Sequence, residues 1–533
     1  MTCYAAFDVD AIHDYVFGAV RPIDVMGASR IVREFEERAK NLASEAGAKP
    51  RFVGGGSGLF ELPGDLASAE QLARRLEEDF ADATSRAATC TAVAVASEGD
   101  FRSDHRRLAD ALARRKTSKW LHTASQTFAD ERDPRRLCRG CGIEPVTHTD
   151  KLGGTDTEEI GDFCRRRREA GRRGRRDGEL PQALSLEDLL GDSRSTDARD
   201  AGHKRDPRSG SRKPEPEDGQ RRRLLAVVYL DADRAGERLM ECSDAGELEH
   251  LSGLITSGST RALEETVADL DLEGKFLAPI VGGDDVLVIA AADYAADLLR
   301  GIWLRLSEYV TSRTASGGRA GLSSSAAVVM ADRHVPLRLM FTEAEEALRE
   351  AKQASYAHPE GEPHCAVRCV GRPRRAAPTS GLVFGAPLPR SCWVSPDGDP
   401  PLVRLFEHLA ALPSAQRNGL LVDLEERSPK VRALSVDYRA SRAGPHLAAA
   451  LELAREIAGH APGSASFSRG VGSAVGAGSG AGAPGASWSC DPWRVLAGGV
   501  LAVDVGWVDA AAAESGEGGG SASTRPVAEE VAS

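Results

Sequence analysis

The stretch FLAPIVGGDDVLVIAA, residues 276–291, contains the motif on which the interpretation of this chain depends. Two apolar segments rich in β-branched residues flank the tetrapeptide Gly282–Asp285, and such segments are typical of buried strands. The sequence therefore predicts a strand-turn-strand hairpin with Asp284 and Asp285 at its turn. A turn of this composition suits an ordinary hairpin as well as a metal site, so the rest of the chain has to decide between the two.

A weaker copy of this hairpin lies near the N-terminus as RFVGGGSGLFEL, residues 51–62. Alignment on the glycines matches the turn Gly54–Ser57 with the turn Gly282–Asp285. Gly56 and Ser57 then stand where the second copy has its two aspartates. The first copy therefore has the turn without the acids.

Three further landmarks occur in the same order in both copies. The matched positions are Asp8 with Asp231 at a strand end, Thr91 with Ala326 at a strand start, and Lys116 with Lys352 in a helix. Four landmarks in one order favour an internal duplication. In each copy the pattern predicts a βαββαβ order, which is that of a ferredoxin-like, palm-type sheet backed by helices.

Asp231, Asp284 and Asp285 are the candidate catalytic and metal-binding residues of the second copy. If the first strand pairs beside the hairpin, Asp231 lies next to both turn aspartates. Three close carboxylates repel one another unless a cation compensates them, and hard oxygen ligands of this kind suit Mg²⁺ or Mn²⁺. Gly282 and Gly283 would let a triphosphate approach the turn closely.

Lys352, late in the last helix of the copy, could bind polyphosphate oxygens as a point charge. Each of these features alone fits an ordinary turn, strand end or surface lysine. Their combination in one domain favours a site for metal-assisted phosphoryl transfer.

The bulk composition limits the classes of partner. The 533 residues carry a formal net charge of -12, which gives no general affinity for nucleic acid or acidic membranes. The N-terminal residues lack a signal pattern, and no apolar run is long enough to span a membrane. Ten cysteines in so long a chain are typical of reduced thiols. We therefore expect a cytoplasmic protein that does not contact a membrane.

Composition and pattern divide the chain into six segments. They are a degenerate first palm domain (1–125), a zinc-knuckle-like element (126–180), a flexible linker (181–222), a catalytic palm domain (223–370), a helical C-terminal domain (371–460) and a low-complexity linker and tail (461–533). The predicted fold class is thus α+β, with two ferredoxin-like palm domains, an inserted zinc-knuckle element and a helical C-terminal domain. The segment 488–509 carries no functional pattern.

Cysteines in the inserted element suggest a structural zinc site. Cys138 and Cys141 form a CxxC knuckle suited to tetrahedral zinc, but Cys164 has Arg167 where its partner cysteine would stand. Cys138, Cys141 and Cys164 are the expected ligands, with His148 as a possible fourth. The alternative is a degenerate knuckle whose cysteines are buried or free.

An arginine-rich run follows, with eight arginines in residues 165–176. Such a run could contact RNA phosphates. The alternative is a solvated basic loop that balances an acidic chain.

The two copies resemble the large polymerase-like subunit of type III CRISPR effector complexes. The segments that carry the resemblance are GASRIVREF and VGGGSGLFEL in the first copy, and VVYLDADRAGE, VGGDDVLVIA and AEEALREAKQ in the second. The resemblance spans residues 4–370. The acids at one turn and their absence at the other follow the family pattern.

This resemblance implies synthesis of cyclic oligoadenylate from ATP held between the two palms, with release of pyrophosphate. It implies that Asp284, Asp285 and Asp231 bind the metals and that Lys352 binds triphosphate. It also implies a nucleotide pocket without metal ligands, formed by Gly54, Gly55, Gly56 and Ser57. The implied partners are guide and target RNA and other CRISPR effector subunits.

Family members often begin with an HD-type nuclease, but we expect none here. The dipeptide His13-Asp14 lies within the palm pattern and lacks the helices and other ligands of that domain. Two alternative functions stay open. One is a GGDEF-like or adenylyl-cyclase-like nucleotide cyclase, which usually needs two chains at one site. The other is a non-catalytic scaffold of an RNA-guided complex.

Overall fold

The computed structural model has an α+β fold in which two sheets are backed by helices. It describes residues 2–19, 21–123, 137–142, 144–153, 156–173, 181–183, 185–190, 224–311, 323–358, 361–370, 382–384, 386–395, 399–424, 429–442, 445–460 and 495–500. Most of the predicted linker and of the predicted low-complexity tail lies outside these residues. None of the helices in these ranges is both long and apolar enough to cross a membrane.

The first sheet and its helices come from the N-terminal part of the chain. The elements are β1 (Thr2–Val9), α1 (Ile12–Phe17), α2 (Pro22–Glu45), β2 (Lys49–Gly54), β3 (Ser57–Pro63), α3 (Leu66–Ala83), β4 (Cys90–Ala96) and α4 (Phe101–Thr123). The strand order is β2-β3-β1-β4, and all pairs are antiparallel. This order is that of the predicted ferredoxin-like sheet.

A small hairpin and two helices follow. They are β5 (His148–Gly153), β6 (Asp156–Ile160), α5 (Asp162–Arg172) and α6 (Leu186–Leu189). Helix α5 crosses α2 at very close range, because a methyl group added to Gly27 would lie 1.7 Å from the carbonyl oxygen of Arg167. Only glycine fits at this crossing, so the inserted element is seated directly on the first palm.

The second sheet repeats the first and adds two strands. Its elements are β7 (Leu224–Ala232), α7 (Ala235–Glu241), α8 (Ala245–Asp269), β8 (Leu277–Gly282), β9 (Asp285–Ala291), α9 (Ala295–Thr311), β10 (Ser324–Asp332), α10 (Leu337–Ala357), β11 (His364–Val370) and β12 (Leu388–Pro389). The order is β12-β11-β10-β7-β9-β8. Strand β7 is central and almost wholly buried, which explains its continuous apolar run.

Strand register supports the duplication. Asp8 lies opposite Ser57 in the β1–β3 pair, and Asp231 lies opposite Asp285 in the β7–β9 pair. The register corrects one landmark, however, because Thr91 faces Asp8 and its counterpart facing Asp231 is Ser325. Ala326, the position matched from the sequence, is one residue further along, and a slip of one residue would turn its side chain to the other face of the sheet.

The two palms share a hydrophobic core. Phe17 of α1 stacks on Phe341 of α10 with ring centroids 3.4 Å apart. Across a second crossing, Leu108 of α4 belongs to the same buried cluster as Leu248 of α8. Burial of such side chains is the main favourable term in packing, so the palms form one body through contacts at both crossings.

Residues 181–183 and 185–190 pack on the second palm and are not part of a free linker, contrary to the prediction. The amide of Ala183 donates to the carbonyl of Phe276 at 2.7 Å, and the amide of Ala278 donates to the side chain of Gln182 at 2.7 Å. These hydrogen bonds cover the edge strand β8, whose backbone groups would otherwise be unpaired. Leu189 and Leu190 are buried beside it.

Four helices follow the second palm. They are α11 (Pro401–Ala410), α12 (Ser414–Leu424), α13 (Pro429–Ala440) and α14 (Pro445–His460). Residues 495–500 are also helical, and Val495, Leu496 and Val500 are buried in the core formed by the second palm and these helices. This short helix corrects the prediction that the whole segment after 460 is a linker and tail, since its apolar residues complete that core.

Candidate active site at the end of the second sheet

The site lies where β7 and β9 end side by side. Asp231 is the second-last residue of β7 and faces Asp285, the first residue of β9. Asp284 stands in the turn before β9 and is exposed, whereas Asp231 and Asp285 are half-buried. The structure thus places all three predicted acids at one edge of the sheet, with Asp231 and Asp285 as direct cross-strand neighbours.

Lys352 reaches this edge from α10, where its ammonium group forms an ion pair with Asp231. Burial raises the pKa of Asp231 to about 6, although the positive charge of Lys352 opposes the shift. Burial and the charges of Asp231 and Asp284 raise the pKa of Asp285 to about 8. Two carboxylates that are this hard to ionise together mark a place that favours a further cation.

The acids do not form a closed ligand set by themselves. Within the described ranges, the group of three metal-binding side chains whose ligand atoms all lie within 4.8 Å of one another consists of cysteines, not of these aspartates. Lys352 instead neutralises Asp231. Aspartates that bind a metal here would need rotamers that bring their oxygens together.

The two glycine turns face each other. A methyl group added to Gly55 would lie 3.6 Å from the carbonyl oxygen of Gly282, so the backbones of the turns are in contact range. Gly55 and Gly283 have the same left-handed φ of 62°, which glycine adopts without strain. The turn that lacks acids is therefore placed against the turn that has them.

The turn of the first palm is held by its own side chains. The amide of Gly56 donates to Glu36 at 2.7 Å, and the hydroxyl of Ser57 donates to the carbonyl of Gly54 at 3.2 Å. A nucleotide phosphate at this turn would have to replace Glu36 at the amide of Gly56. The predicted nucleotide-binding residues are thus together, but their polar groups already have partners.

Three residues of the site were missed in the sequence. Tyr229 donates a hydrogen bond to Asp285 at 3.3 Å, and Nδ1 of His13 lies 2.7 Å from Glu345. Tyr229 precedes Asp231 by two residues and so shares its face of the strand. Glu345 precedes Lys352 by two helical turns and so shares its face of the helix.

A cavity of about 360 Å³ opens beside these residues. It is lined by Tyr229, Asp231, Glu345, Leu348, Arg349, Lys352, Gln353 and Tyr356. Two aromatic rings and a leucine supply apolar surface, and four charged side chains also line it. Such a mixture suits a ligand with a planar apolar part and a phosphate.

The cysteine element provides a separate candidate metal centre. The sulfur atoms of Cys138, Cys141 and Cys164 all lie within 4.8 Å of one another. Neighbouring thiol groups and the amides of Gly161 and Cys141 lower the pKa of Cys138 to about 2. Thiolate sulfur is the ligand that zinc prefers, so this cluster could bind a metal such as zinc.

His148, the predicted fourth ligand, is not a member of this group. Its Nε2 atom lies 2.7 Å from a carboxylate oxygen of Asp162 at the start of α5. The reason is the pairing of β5 with β6, which sets His148 opposite Ile160 and directs its ring to the helix start. The structure therefore supports three of the four predicted ligands as a cluster.

The described part of the arginine run does not form a solvated loop. Arg167 and Arg168 are buried, at 2% and 1% exposure. Arg168 forms ion pairs with Asp24 at 2.8 Å and with Asp150 at 3.0 Å, and Arg167 stacks over the ring of Tyr15 at 4.3 Å. A buried guanidinium is tolerated only when it is paired in this way. These two arginines anchor the inserted element and are not available to RNA, whereas Arg172 and Arg173 are more exposed.

The fold and the acids define a duplicated palm domain with carboxylates at one turn only. A family model described as the second palm domain of Cas10/Cmr2 matches residues 224–357. A comparison with curated proteins finds no match.

Solved structures agree in overall fold. The chain is similar to a Csm1-Csm4 cassette in complex with pppApApA, with a TM-score of 0.52 and 13% identity over 95% of this chain and 69% of that chain. It is also similar to a Csm1-Csm4 cassette in complex with cA4, with a TM-score of 0.43 and 15% identity over 70% of this chain. The chain spans 55% of the length of that protein.

Residues 224–357 therefore match the second palm domain of Cas10/Cmr2, and the chain is Cas10-like over this part. The resemblance found in the sequence is confirmed at this level. At 13% identity and a TM-score of 0.52, the first of these structures shows a common fold and nothing about the activity of this chain.

Proposed function

We propose that this chain is a nucleotidyltransferase that makes cyclic oligoadenylate from ATP as part of a type III CRISPR effector complex. The observation that carries the proposal is the restriction of the acids to one of two equivalent turns. Asp231 faces Asp285 in the second palm, whereas Asp8 faces Ser57 in the first. The Cas10/Cmr2 match of the second palm supports the same reading.

The residues at the site fit divalent cations. Asp231, Asp284 and Asp285 would hold Mg²⁺ or Mn²⁺, because burial and neighbouring negative charges raise the pKa values of Asp231 and Asp285, and a divalent cation would compensate these charges. When bound, such ions activate an attacking hydroxyl and neutralise charge on phosphate oxygens.

The side chains and backbone of the chain supply binding and orientation. Lys352, freed from Asp231 or shared with it, binds an oxygen of the triphosphate. The turn at Gly282 and Gly283 lets the α-phosphate approach the acids without a side chain in the way. The 3′-hydroxyl of one nucleotide gives its proton to water as its oxygen bonds to the α-phosphorus of the next nucleotide, and pyrophosphate leaves with the electron pair of the broken phosphorus–oxygen bond.

Two nucleotides would bind, one at each turn, and the first palm would hold the one that has no catalytic acids beside it. Its turn, Gly54–Ser57, lies against the second turn, so two nucleotides bound at the two turns would be neighbours. Guide and target RNA and other effector subunits are the proposed activating partners. Zinc at the cysteine cluster would have a structural role only.

The test is incubation of the full chain with radiolabelled ATP and Mg²⁺ or Mn²⁺, with and without a matched RNA-guided complex. We expect pyrophosphate release and cyclic products, and we expect Asp284→Ala and Asp285→Ala to abolish both. Glu98→Ala, at an exposed acid near the opposite end of the first sheet, is the control that should keep both. A rate that depends on the square of the chain concentration would favour a cyclase that assembles from two chains. No release under any condition, with the aspartate variants equal to wild type, would leave the scaffold reading.

A further inference from the structure

His13 belongs to the first palm, but its ring borders the acids of the second. It lies on α1, and its Nδ1 atom is 2.7 Å from Oε1 of Glu345 on α10. Its ring meets the ring of Tyr229 edge-on, with centroids 6.3 Å apart. Tyr229 in turn donates a hydrogen bond to Asp285 at 3.3 Å. The imidazole thus closes one side of the carboxylate site.

The duplication provides an internal control for this pair. By strand and helix register, His13 corresponds to Gly236 of the second copy, and Glu345 corresponds to Ala109 of the first. Glycine and alanine cannot form such a hydrogen bond. Helices α4 and α7 nevertheless pack together as α1 and α10 do. Holding the palms together therefore does not require an imidazole and a carboxylate, which occur only at the crossing that faces the acids.

The ring has a nitrogen available for a ligand. Burial lowers the pKa of His13, but the hydrogen bond to Glu345 and the negative charges of Asp285 and Asp231 outweigh it, so that the pKa is raised overall. Within the described residues, Nε2 of His13 has no hydrogen-bond partner, and the side chain is 32% exposed. Glu345 also lines the cavity beside Lys352.

We propose that His13 is a nucleotide-binding residue that the first palm supplies to the catalytic palm, with its Nε2–H donating a hydrogen bond to a phosphate oxygen of the bound nucleoside triphosphate. Glu345 is the positioning residue that orients the ring through Nδ1. The identity of the ligand rests on the proposed function. The second palm thus depends on the first for one hydrogen bond to the nucleotide, in addition to any stability that the first palm provides.

The test measures nucleotide binding separately from turnover. The full chain is titrated, in the presence of Mg²⁺, with α,β-methylene-ATP, an analogue that cannot release pyrophosphate. KM and kcat are measured separately with ATP. His13→Ala should weaken binding of the analogue about tenfold, because a charge-assisted hydrogen bond is lost. The loss should appear in KM with a smaller change in kcat. His13→Gln should recover part of the affinity, since its amide nitrogen reaches the region of Nε2.

Asp14→Asn is the matched control, because Asp14 is the exposed neighbour on the same helix. It should bind like wild type. Unfolding temperature is measured for every variant, and His13→Gln decides the matter if His13→Ala does not fold. A lower unfolding temperature with unchanged affinity in the His13 variants would show a purely structural bond and overturn the inference.

The same data separate this inference from the proposed function. If wild type makes product and both His13 variants bind and react like it, the inference alone is wrong. If wild type binds the analogue but never makes product, and the His13→Ala variant binds the analogue more weakly, the inference holds and the proposed activity is wrong. If wild type does not bind the analogue at all, both are wrong.

Discussion

The two palms have the same hydrogen bonds and ion pairs at their strand ends, but only the second palm has aspartates at the neighbouring turn. Each sheet has an aspartate two residues beyond the strand-end aspartate, and each is held by two hydroxyl groups. Asp10 accepts from Thr89 and Thr91, with bonds of 2.8 Å. Asp233 accepts from Ser323 at 3.0 Å and from Ser325 at 2.8 Å. This scaffold persists where there are no turn acids.

The strand-end ion pair is also present in both copies. Lys116 pairs with Asp8 at 2.6 Å, as Lys352 pairs with Asp231. The aspartate-lysine pair is therefore not by itself a sign of catalysis. At the turns themselves the acids distinguish the second palm, and the first palm shows that the turn folds without them, which leaves Asp284 and Asp285 available for chemistry.

The strongest test of the difference between the palms is to replace the turn residues of the second palm by those of the first. The double variant Asp284→Gly and Asp285→Ser should lower nucleotidyl transfer at least about a thousandfold, because metal ligation supplies several kcal/mol in the transition state. Pyrophosphate release is the measurement. The unfolding temperature should not fall, since Gly56 and Ser57 occupy the same turn in the first palm. Retained activity would show that the acids are not catalytic.

A second comparison replaces the two lysines by methionine. Lys352→Met should lower kcat/KM by roughly 10- to 100-fold, since it removes a charged contact to phosphate worth about 1.5–3 kcal/mol. Lys116→Met should lower stability by up to about 1 kcal/mol, because the pair with Asp8 is partly exposed. Its effect on kcat/KM should be small. Equal losses of kcat/KM in both variants would contradict the division into a catalytic and a binding palm.

The pH dependence of stability should differ between the palms as well. The pKa of Asp285 is raised to about 8 in the folded chain, so the folded state binds a proton that the unfolded state releases at lower pH. Stability from this group is present at pH 4 and is lost as pH rises toward 8. Asp285→Asn mimics the protonated form and should raise the unfolding temperature by roughly 2–4 °C at pH 8.5 without metal.

The control for this effect is the same measurement at pH 4.5, where the difference should shrink. Saturating Mg²⁺ should stabilise wild type at pH 8.5 and leave Asp285→Asn little changed. An asparagine variant that is less stable than wild type at pH 8.5 would show that Asp285 is not destabilised by its neighbours.

The smallest expected effect concerns the hydrogen bonds from hydroxyl groups to Asp10 and Asp233, which both palms have. Ser325→Ala and Thr91→Ala each remove one hydrogen bond to a supporting aspartate, so each should lower the free energy of unfolding by about 1 kcal/mol. Chemical denaturation is the measurement. A large loss of turnover in Ser325→Ala together with unchanged stability would mean that Asp233 belongs to the catalytic set and not to the shared scaffold.

Much of this organisation could be predicted from the sequence because it depends on local pattern. Apolar runs bounded by glycine located the hairpins, and a turn with acids beside a turn without them identified the candidate site. The errors arose where strand pairing decides which residues face each other. Thr91 was matched one residue away from its counterpart, since an apolar strand start has no local marker of register. His148 was assigned to the cysteines by its spacing alone.

Sequence by itself determined which side chains could do chemistry: Asp231, Asp284, Asp285 and Lys352 stand in the right order on elements of the right kind. Tertiary structure alone decided which groups surround them. It brought His13 and Glu345 together from distant parts of the chain, because two helices cross only when the palms dock. It also buried Arg167 and Arg168, since the stacking of Arg167 on Tyr15 and the ion pair of Arg168 with Asp24 exist only in the folded chain, and no local pattern encodes such contacts.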